Sequence, residues 1–329
     1  MPSVKQNPLP AYAPSPKVTK LWPDISGNTI NGLGDTGKGP PRPVFWRTDG
    51  STPHAPVMYH FYQRSKENPA VMEARKYRDQ TAAIEDSDIA PQPEQKPASE
   101  WTAEIKRLAL EIGADDVGIT AYQSGWTFED RPQPEGKWAI VMAFAQDYEA
   151  MNKAPDAAAY IEVMHQYGRA GDTAKHLANR IRERGHFAAA KTGPMTEDVL
   201  MIPAAIEAGL GELGKHGSMI HKAFGANFRL SVVLTDLPLE TGAPDIFGAD
   251  MFCANCQVCA NACPPGAIAA DKQMVRGETK WYVDFDACVP YFVDFETCGI
   301  CLAVCPWSRP GVAQNLLQKM ARRLEASGA

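Results

Sequence analysis

A chain of 329 residues that is 44% hydrophobic and 22% charged reads as an ordinary globular protein of two or three domains, which excludes a disordered or fibrous class. Its net charge of -6 and the lack of any Lys/Arg-rich stripe argue against DNA or other nucleic acid as a partner. No apolar run approaches the roughly 20 residues of a membrane span. Met1 to Pro40 has no twin arginine and no apolar stretch after its lysines, so a cytoplasmic address is expected.

In chain order, residues 1–53 are rich in Pro and Gly without a regular apolar period, which predicts extended or looped chain lying against a larger body. Helical character follows within Ala55 to Gln80, centred on Met72 to Tyr77. The run Ala90-Pro-Gln-Pro-Glu-Gln-Lys-Pro97 predicts a linker, and a domain boundary is expected near residue 98. Ser99 is the expected cap of a helix carrying Trp101, Ile105, Leu108 and Ile112 inward and stopping at Gly113.

Val117 to Thr120, Trp138 to Ala145 and Phe228 to Leu234 have the composition of buried strands. A helix from about Asp172 to Arg184, with Leu177 and Ile181 inward, is expected to end at Gly185. Helices alternating with short strands predict a mixed α/β or α+β core. A short amphipathic segment, Leu316 to Leu324, follows near the end.

Two strings match the GxGxxG pattern of nucleotide sites, and neither has the right context. Gly32 to Gly37 runs into Lys-Gly-Pro-Pro, which cannot open a helix behind a phosphate cradle. Gly209 to Gly214 follows the helical stretch Pro203 to Ala208 where a dinucleotide site needs a strand.

The chemistry is concentrated in eight cysteines, all after residue 250. Cys253, Cys256, Cys259 and Cys263-Pro264 follow the bacterial ferredoxin spacing, whose fourth cysteine serves the neighbouring cluster. Cys288, Cys298, Cys301 and Cys305-Pro306 form a second run, with a nine-residue gap where two residues are usual. Two [4Fe-4S] clusters use every thiol. One takes Cys253, Cys256, Cys259 and Cys305, the other Cys288, Cys298, Cys301 and Cys263. Zinc does not call for the Cys-Pro steps. Disulfides are not needed in a chain long enough to bury about 75% of its unfolded surface.

Further motifs stand in order along the chain: Ala208-Gly-Leu-Gly-Glu-Leu-Gly-Lys-His-Gly217, Phe228-Arg-Leu, Thr235-Asp-Leu-Pro-Leu239, and Cys298-Gly-Ile-Cys-Leu-Ala-Val-Cys-Pro-Trp307. Together with the cysteines they resemble the reductive dehalogenases over residues 99 to 310. The epoxyqueuosine reductases, which act on a modified base in tRNA, are similar in frame. The resemblance implies an α+β fold: a nitroreductase-like corrinoid-binding core at 99–247 and a two-cluster ferredoxin-like module at 248–310. The N-terminal extension at 1–98 and a C-terminal helix at 311–329 complete the expected organisation.

It further implies cobalamin held over one of the clusters, without a cobalt-ligating histidine from a DxHxxG motif, which is absent here. Gly209, Gly211, Gly214, Lys215, His216 and Ser218 match the stretch that lies against the corrinoid in that family; the plainer alternative is that the glycines only turn the chain. Replacing a carbon-halogen bond by carbon-hydrogen takes two electrons and a proton. The family's proton donors are a tyrosine or, in the tRNA-modifying branch, an aspartate, and Tyr167-Gly-Arg-Ala-Gly-Asp172-Thr-Ala-Lys175 carries both. Arg229 or Lys191 is the cation expected beside Tyr167. Asp172 reads equally as a helix cap, Tyr167 as a core ring, and Lys175 and Arg169 as a solvated face.

The implied substrate is a small organic, halogenated molecule, and an external ferredoxin or flavoprotein is the implied reductant. Two other readings remain: an epoxyqueuosine reductase, disfavoured by the acidic charge and by the 19 residues after Pro310, and a non-catalytic two-cluster electron carrier.

Overall fold

A computed structural model describes residues 12–47, 49–193, 198–295 and 297–327; the outer ends of the expected N-terminal extension and C-terminal helix, 1–11 and 328–329, lie outside them. The Pro/Gly-rich start is not wholly looped. It forms two short helices, α1 (Pro16–Leu21) and α2 (Gly27–Asn31), each opened by a serine whose hydroxyl accepts an N–H of the first turn.

The next two helices are α3 (Ala55–Ser65) and α4 (Pro69–Ala82), where the sequence reading had only one helical centre. Asn68 caps α4 and Pro69 occupies its first position. Pro97, not Ser99, is the N-cap of α5 (Ala98–Ile112), because the Pro97 carbonyl already accepts the N–H of Trp101. Gly113 ends it, as the period predicted.

Strands β1 (Asp116–Ala121) and β2 (Trp138–Ala145) lie where they were expected. After the short α6 (Tyr148–Met151) comes α7 (Ala157–Arg182), 26 residues long. Its length corrects two readings: the helix starts 15 residues earlier than Asp172, and Asp172 is an interior helical residue, not a cap. Gly168 and Gly171 mimic a break in the sequence but serve close packing. A Cβ on Gly168 would lie 2.3 Å from the Tyr77 ring and one on Gly171 2.8 Å from the Thr81 hydroxyl, so α4 rests directly on the α7 backbone. The expected linker packs too, its Ala90 and Glu94 N–H groups donating to Arg182 and Arg184 carbonyls.

The chain continues through β3 (Ala188–Lys191), α8 (Met201–Glu207), the hairpin of β4 (Glu212–Leu213) and β5 (Met219–Ile220), and β6 (Phe228–Thr235). The main sheet has the order β1-β2-β6-β3, antiparallel throughout, which makes the class α+β. Ile140, Met142 and Phe144 of β2 point to the face covered by α5 and α7, Ala139, Val141 and Ala143 to the face covered by α8. Burial on both faces explains the unbroken apolar run of β2.

The cysteine-bearing part has α9 (Ala249–Asn255), α10 (Val258–Ala262), the hairpin β7 (Gln273–Val275) and β8 (Glu278–Lys280), α11 (Phe285–Asp294), α12 (Ile300–Ala303) and α13 (Ala313–Ser327). The first GxGxxG string serves as a clasp on it. Gly32 ends α2 in the left-handed region, and the N–H of Gly34 donates to Met274 on β7. Asn28 joins in through its amide, which donates to Asp284 at 2.9 Å. Among the described residues no helix is long and apolar enough to cross a membrane.

Candidate functional site

The eight thiols gather in two quartets. Cys253 on α9, Cys256 just after it, Cys259 on α10 and Cys305 are mutual electrostatic neighbours, and Cys263, Cys288, Cys298 and Cys301 are the others. Each quartet draws one cysteine from the far run, the crossover that the spacing predicts. Cys259 and Cys301 also feel one another, so the two groups adjoin. The nine-residue gap is accounted for by α11, which continues to Asp294 beyond Cys288 before the chain returns at Cys298.

Among the described residues no three His, Cys, Asp or Glu side chains converge on a single metal ion. A cubane spreads its four sulfurs around four irons and does not need that convergence. Burial pushes the thiols of Cys253, Cys288 and Cys305 up to about 12, and neighbouring thiols add to the shift. Burial that disfavours the bare thiolate leaves these sulfurs suited to a bound cationic centre, which would hold them deprotonated. Backbone N–H groups of Lys215 and Ala267 approach the sulfurs of Cys253 and Cys263 at 3.4 Å.

Above the second quartet lies a cavity of about 310 Å³. Cys288, Cys298 and Cys301 are at one side, His216, Gly217 and Ser218 border it, and Tyr167 and Arg229 line it as well. The Arg229 guanidinium stands 5.4 Å from the centre of the Tyr167 ring, so the expected cation and phenol meet. Tyr62, Arg75, Arg78 and Tyr167 also line an outer recess of about 500 Å³, while Trp46, Cys288 and Phe292 also border one of about 320 Å³. The cavity therefore adjoins further space on two sides.

His216, which borders this cavity, is deeply buried. Burial pushes its imidazole down to about 4. Nδ1 accepts the Ser218 N–H at 3.2 Å, which leaves the proton of a neutral ring on Nε2, and Nε2 is buried without a partner among the described residues. A group with an acceptor oxygen would satisfy it.

Other candidates lie elsewhere. Asp172 is 40% exposed, faces His176 one turn on and lines none of the three cavities described above. Lys191 is paired with Asp198 beside the outer recess and does not border the central cavity. Lys215, only 1% exposed, turns away from it: its Nζ donates to the Ala270 carbonyl at 2.8 Å and lies over the Trp281 ring, next to the first quartet. Arg169 ties α7 to Asp115 at 2.7 Å, and Lys175 pairs with Asp86 at 3.0 Å.

The glycines of the second GxGxxG string turn the chain. Gly209 has φ 83°, and a Cβ there would meet the Ala243 carbonyl at 2.7 Å; one on Gly211 would meet the Ile220 carbonyl at 2.3 Å, and one on Gly214 the His216 ring at 2.6 Å. Between them Glu212 accepts the N–H groups of Phe247, Ala249 and Asp250 at 2.9, 2.8 and 3.3 Å, fastening the start of α9 to the hairpin.

Sequence reasoning missed the wall contributed by residues before 98. Trp46, Phe61, Tyr62, Arg75 and Arg78 all border the cavity. The available signal was an arginine-rich amphipathic helix, Arg75 to Arg78, that no resemblance covered.

An α+β core beside two thiol quartets, with a cavity next to one of them, defines a dicluster iron-sulfur protein, and residues 252–308 match the model of the 4Fe-4S dicluster domain. A tetrachloroethene reductive dehalogenase of Desulfitobacterium hafniense is 31% identical over 236 residues, covering 65% of this chain and 42% of the relative. The structure of a catabolic reductive dehalogenase superposes with a TM-score of 0.75 at 24% identity, over 92% of this chain and 47% of that one. The epoxyqueuosine reductase of Escherichia coli is 27% identical over 258 residues, 62% of this chain and 64% of the relative. The chain is a homologue of the reductive dehalogenases, related more distantly to the epoxyqueuosine reductases. It spans less than half the length of the two dehalogenases described.

Proposed function

We propose that the chain is a corrinoid-dependent iron-sulfur oxidoreductase of the reductive dehalogenase type, with a nitroreductase-like core at 99–247, which replaces a carbon-halogen bond by carbon-hydrogen in a small organic substrate. The observation that carries this reading is the single chamber bounded by Cys288, Cys298 and Cys301 on one side and by Tyr167 with Arg229 on another. Cys253, Cys256, Cys259 and Cys305 hold one cluster, and Cys263, Cys288, Cys298 and Cys301 the one facing the chamber. The address is cytoplasmic and the electrons come from an external ferredoxin or flavoprotein.

A corrinoid suits this wall, since its rim of amide groups could pair with polar groups there, and His216, Gly217 and Ser218 border the space beside Cys288, Cys298 and Cys301. When bound, it supplies a strongly reducing cobalt centre able to break the carbon-halogen bond. The chain's own residues do the rest. Tyr167 holds a proton on its phenol oxygen at the chamber wall and delivers it to the carbon that loses halide. Arg229, stacked over the ring, offsets the negative charge left on the phenol. Phe61, Met164 and Phe292 keep water out.

The test is anaerobic purification and reconstitution with cobalamin and iron-sulfur clusters, followed by an optical spectrum and an assay of halide release. One corrinoid per chain with halide release is the expected result. Clusters without corrinoid would make the chain an electron carrier. Corrinoid with reduction of an epoxyqueuosine-containing RNA stem-loop, and no halide release, would move it to the tRNA-modifying branch.

A further inference from the structure

We infer that Arg75 anchors an anionic group of the substrate, so that the molecule reduced here is an organohalide bearing a carboxylate or phenolate. This rests on the reading above for where substrate lies, and it names the substrate class that reading leaves open.

Arg75 is 6% exposed on α4, yet among the described residues no carboxylate pairs with it. Two other arginines of this N-terminal part differ: Arg78, on the same wall, pairs with Asp79, and Arg47, bordering the adjoining recess, pairs with Asp130 at 2.9 Å. The Arg75 guanidinium lies over two phenol rings, 4.9 Å from the centre of Tyr62 and 5.7 Å from that of Tyr160. Nη2 donates to the Tyr160 hydroxyl at 2.6 Å, and Nε is buried with no acceptor. Ring faces soften the loss of hydration without neutralising the charge. A buried guanidinium with no paired carboxylate among the described residues favours an anion beside it, and a planar carboxylate or phenolate matches its fork of donors.

Position supplies the second part. Arg75 borders both the central cavity and the outer recess, and Tyr167 is one of the residues that do the same. An anion held there places the rest of the substrate beside the phenol. Of the other cations lining these two spaces, Lys66 borders only the recess, Arg78 is engaged with Asp79, and Arg229 borders only the central cavity, where it lies over the Tyr167 ring. A neutral halide gains nothing from Arg75, whereas a halogenated aromatic acid does.

The experiment is calorimetric titration of the holoprotein, carrying both clusters and corrinoid, with 3-chlorobenzoate and with its neutral isostere 3-chlorobenzamide. The wild type is expected to bind the anion about tenfold more tightly or better. Arg75→Gln is expected to erase that preference while keeping its corrinoid absorbance, and Arg75→Lys to retain part of it. Equal affinity of the wild type for the two probes, or a preference that survives in Arg75→Gln, overturns the inference. So does loss of corrinoid from Arg75→Gln with the preference unchanged, which would assign the guanidinium to a phosphate of the cofactor. Should Arg75→Gln fail to fold, competition by unhalogenated benzoate but not benzamide in the wild type, together with Arg75→Lys, decides the matter. Halide release is scored separately: anion-selective binding without dehalogenation sinks the proposed reaction and leaves the anchor, and dehalogenation without selectivity does the reverse.

Discussion

Arg229 on β6 lies against the face of the Tyr167 ring on α7, although 62 positions separate them in the chain. Strand β6 is flanked on both sides by paired strands, and α7 packs on its sheet, so neither partner can drift. The contact joins a phenol to a guanidinium at the wall of a cavity that Cys288, Cys298 and Cys301 also line.

Removing only the phenol oxygen tests the role of Tyr167. Tyr167→Phe is expected to lower turnover about 100-fold or more, the usual range for a lost general acid, while corrinoid content and cluster absorbance stay at wild-type levels. Unchanged turnover would remove the phenol from the reaction. Asp172→Asn, altering a side chain that lines none of the three cavities, is expected to stay within about twofold of wild type.

The crossing of ligands makes a spectroscopic prediction. Cys305→Ser should abolish the signal of the cluster held by Cys253, Cys256 and Cys259, and Cys263→Ser that of the cluster held by Cys288, Cys298 and Cys301. Paramagnetic resonance of the dithionite-reduced variants separates the two. If each serine instead damaged the cluster of its own run, the assignment would be wrong.

The seam between α4 and α7 predicts an unusual reversal of sign. Gly168→Ala places a methyl 2.3 Å from the Tyr77 ring and is expected to cost about 1–3 kcal/mol. In a Tyr77→Ala background the clash is gone, and the same change should stabilise by up to about 1 kcal/mol through helix propensity. Thermal unfolding of the four proteins in the double-mutant cycle gives the answer.

Glu212 bears on how the hairpin meets the iron-sulfur part. Glu212→Ala strips acceptors from three backbone N–H groups at the head of α9, a loss of about 1–3 kcal/mol. Glu212→Gln keeps one good acceptor oxygen and should lose less. The same ordering is expected in the rate at which a chelator removes iron, because Cys253 rides on that helix.

Much of this was legible in the chain. Three strands of the main sheet and the crossed quartets follow from local signals: apolar runs in the first case, spacing and Cys-Pro punctuation in the second. The misses have one physical root, which is that contacts between distant segments leave little local trace. Gly168 and Gly171 look like a helix boundary, and only the nearness of Tyr77 and Thr81 explains why they sit within one, so α7 was read short and Asp172 was given a terminal position. Lys215 looked like a cofactor contact beside His216, but neighbours in sequence take opposite sides of a tight turn. Arg75 gave no signal by itself, since an arginine on a helix is ordinarily solvated; that no carboxylate among the described residues pairs with it becomes visible only when the wall is assembled.

The exchange of Cys263 and Cys305 between the two runs has a bearing on biogenesis. If the two quartets hold the proposed clusters, neither run finishes its own inorganic centre, and maturation is expected to pass through few stably half-loaded species. Damage follows the same logic in reverse: oxidation of Cys263 or Cys305 would strip a rivet from the centre of the opposite run, so one lesion there would break the conduction path.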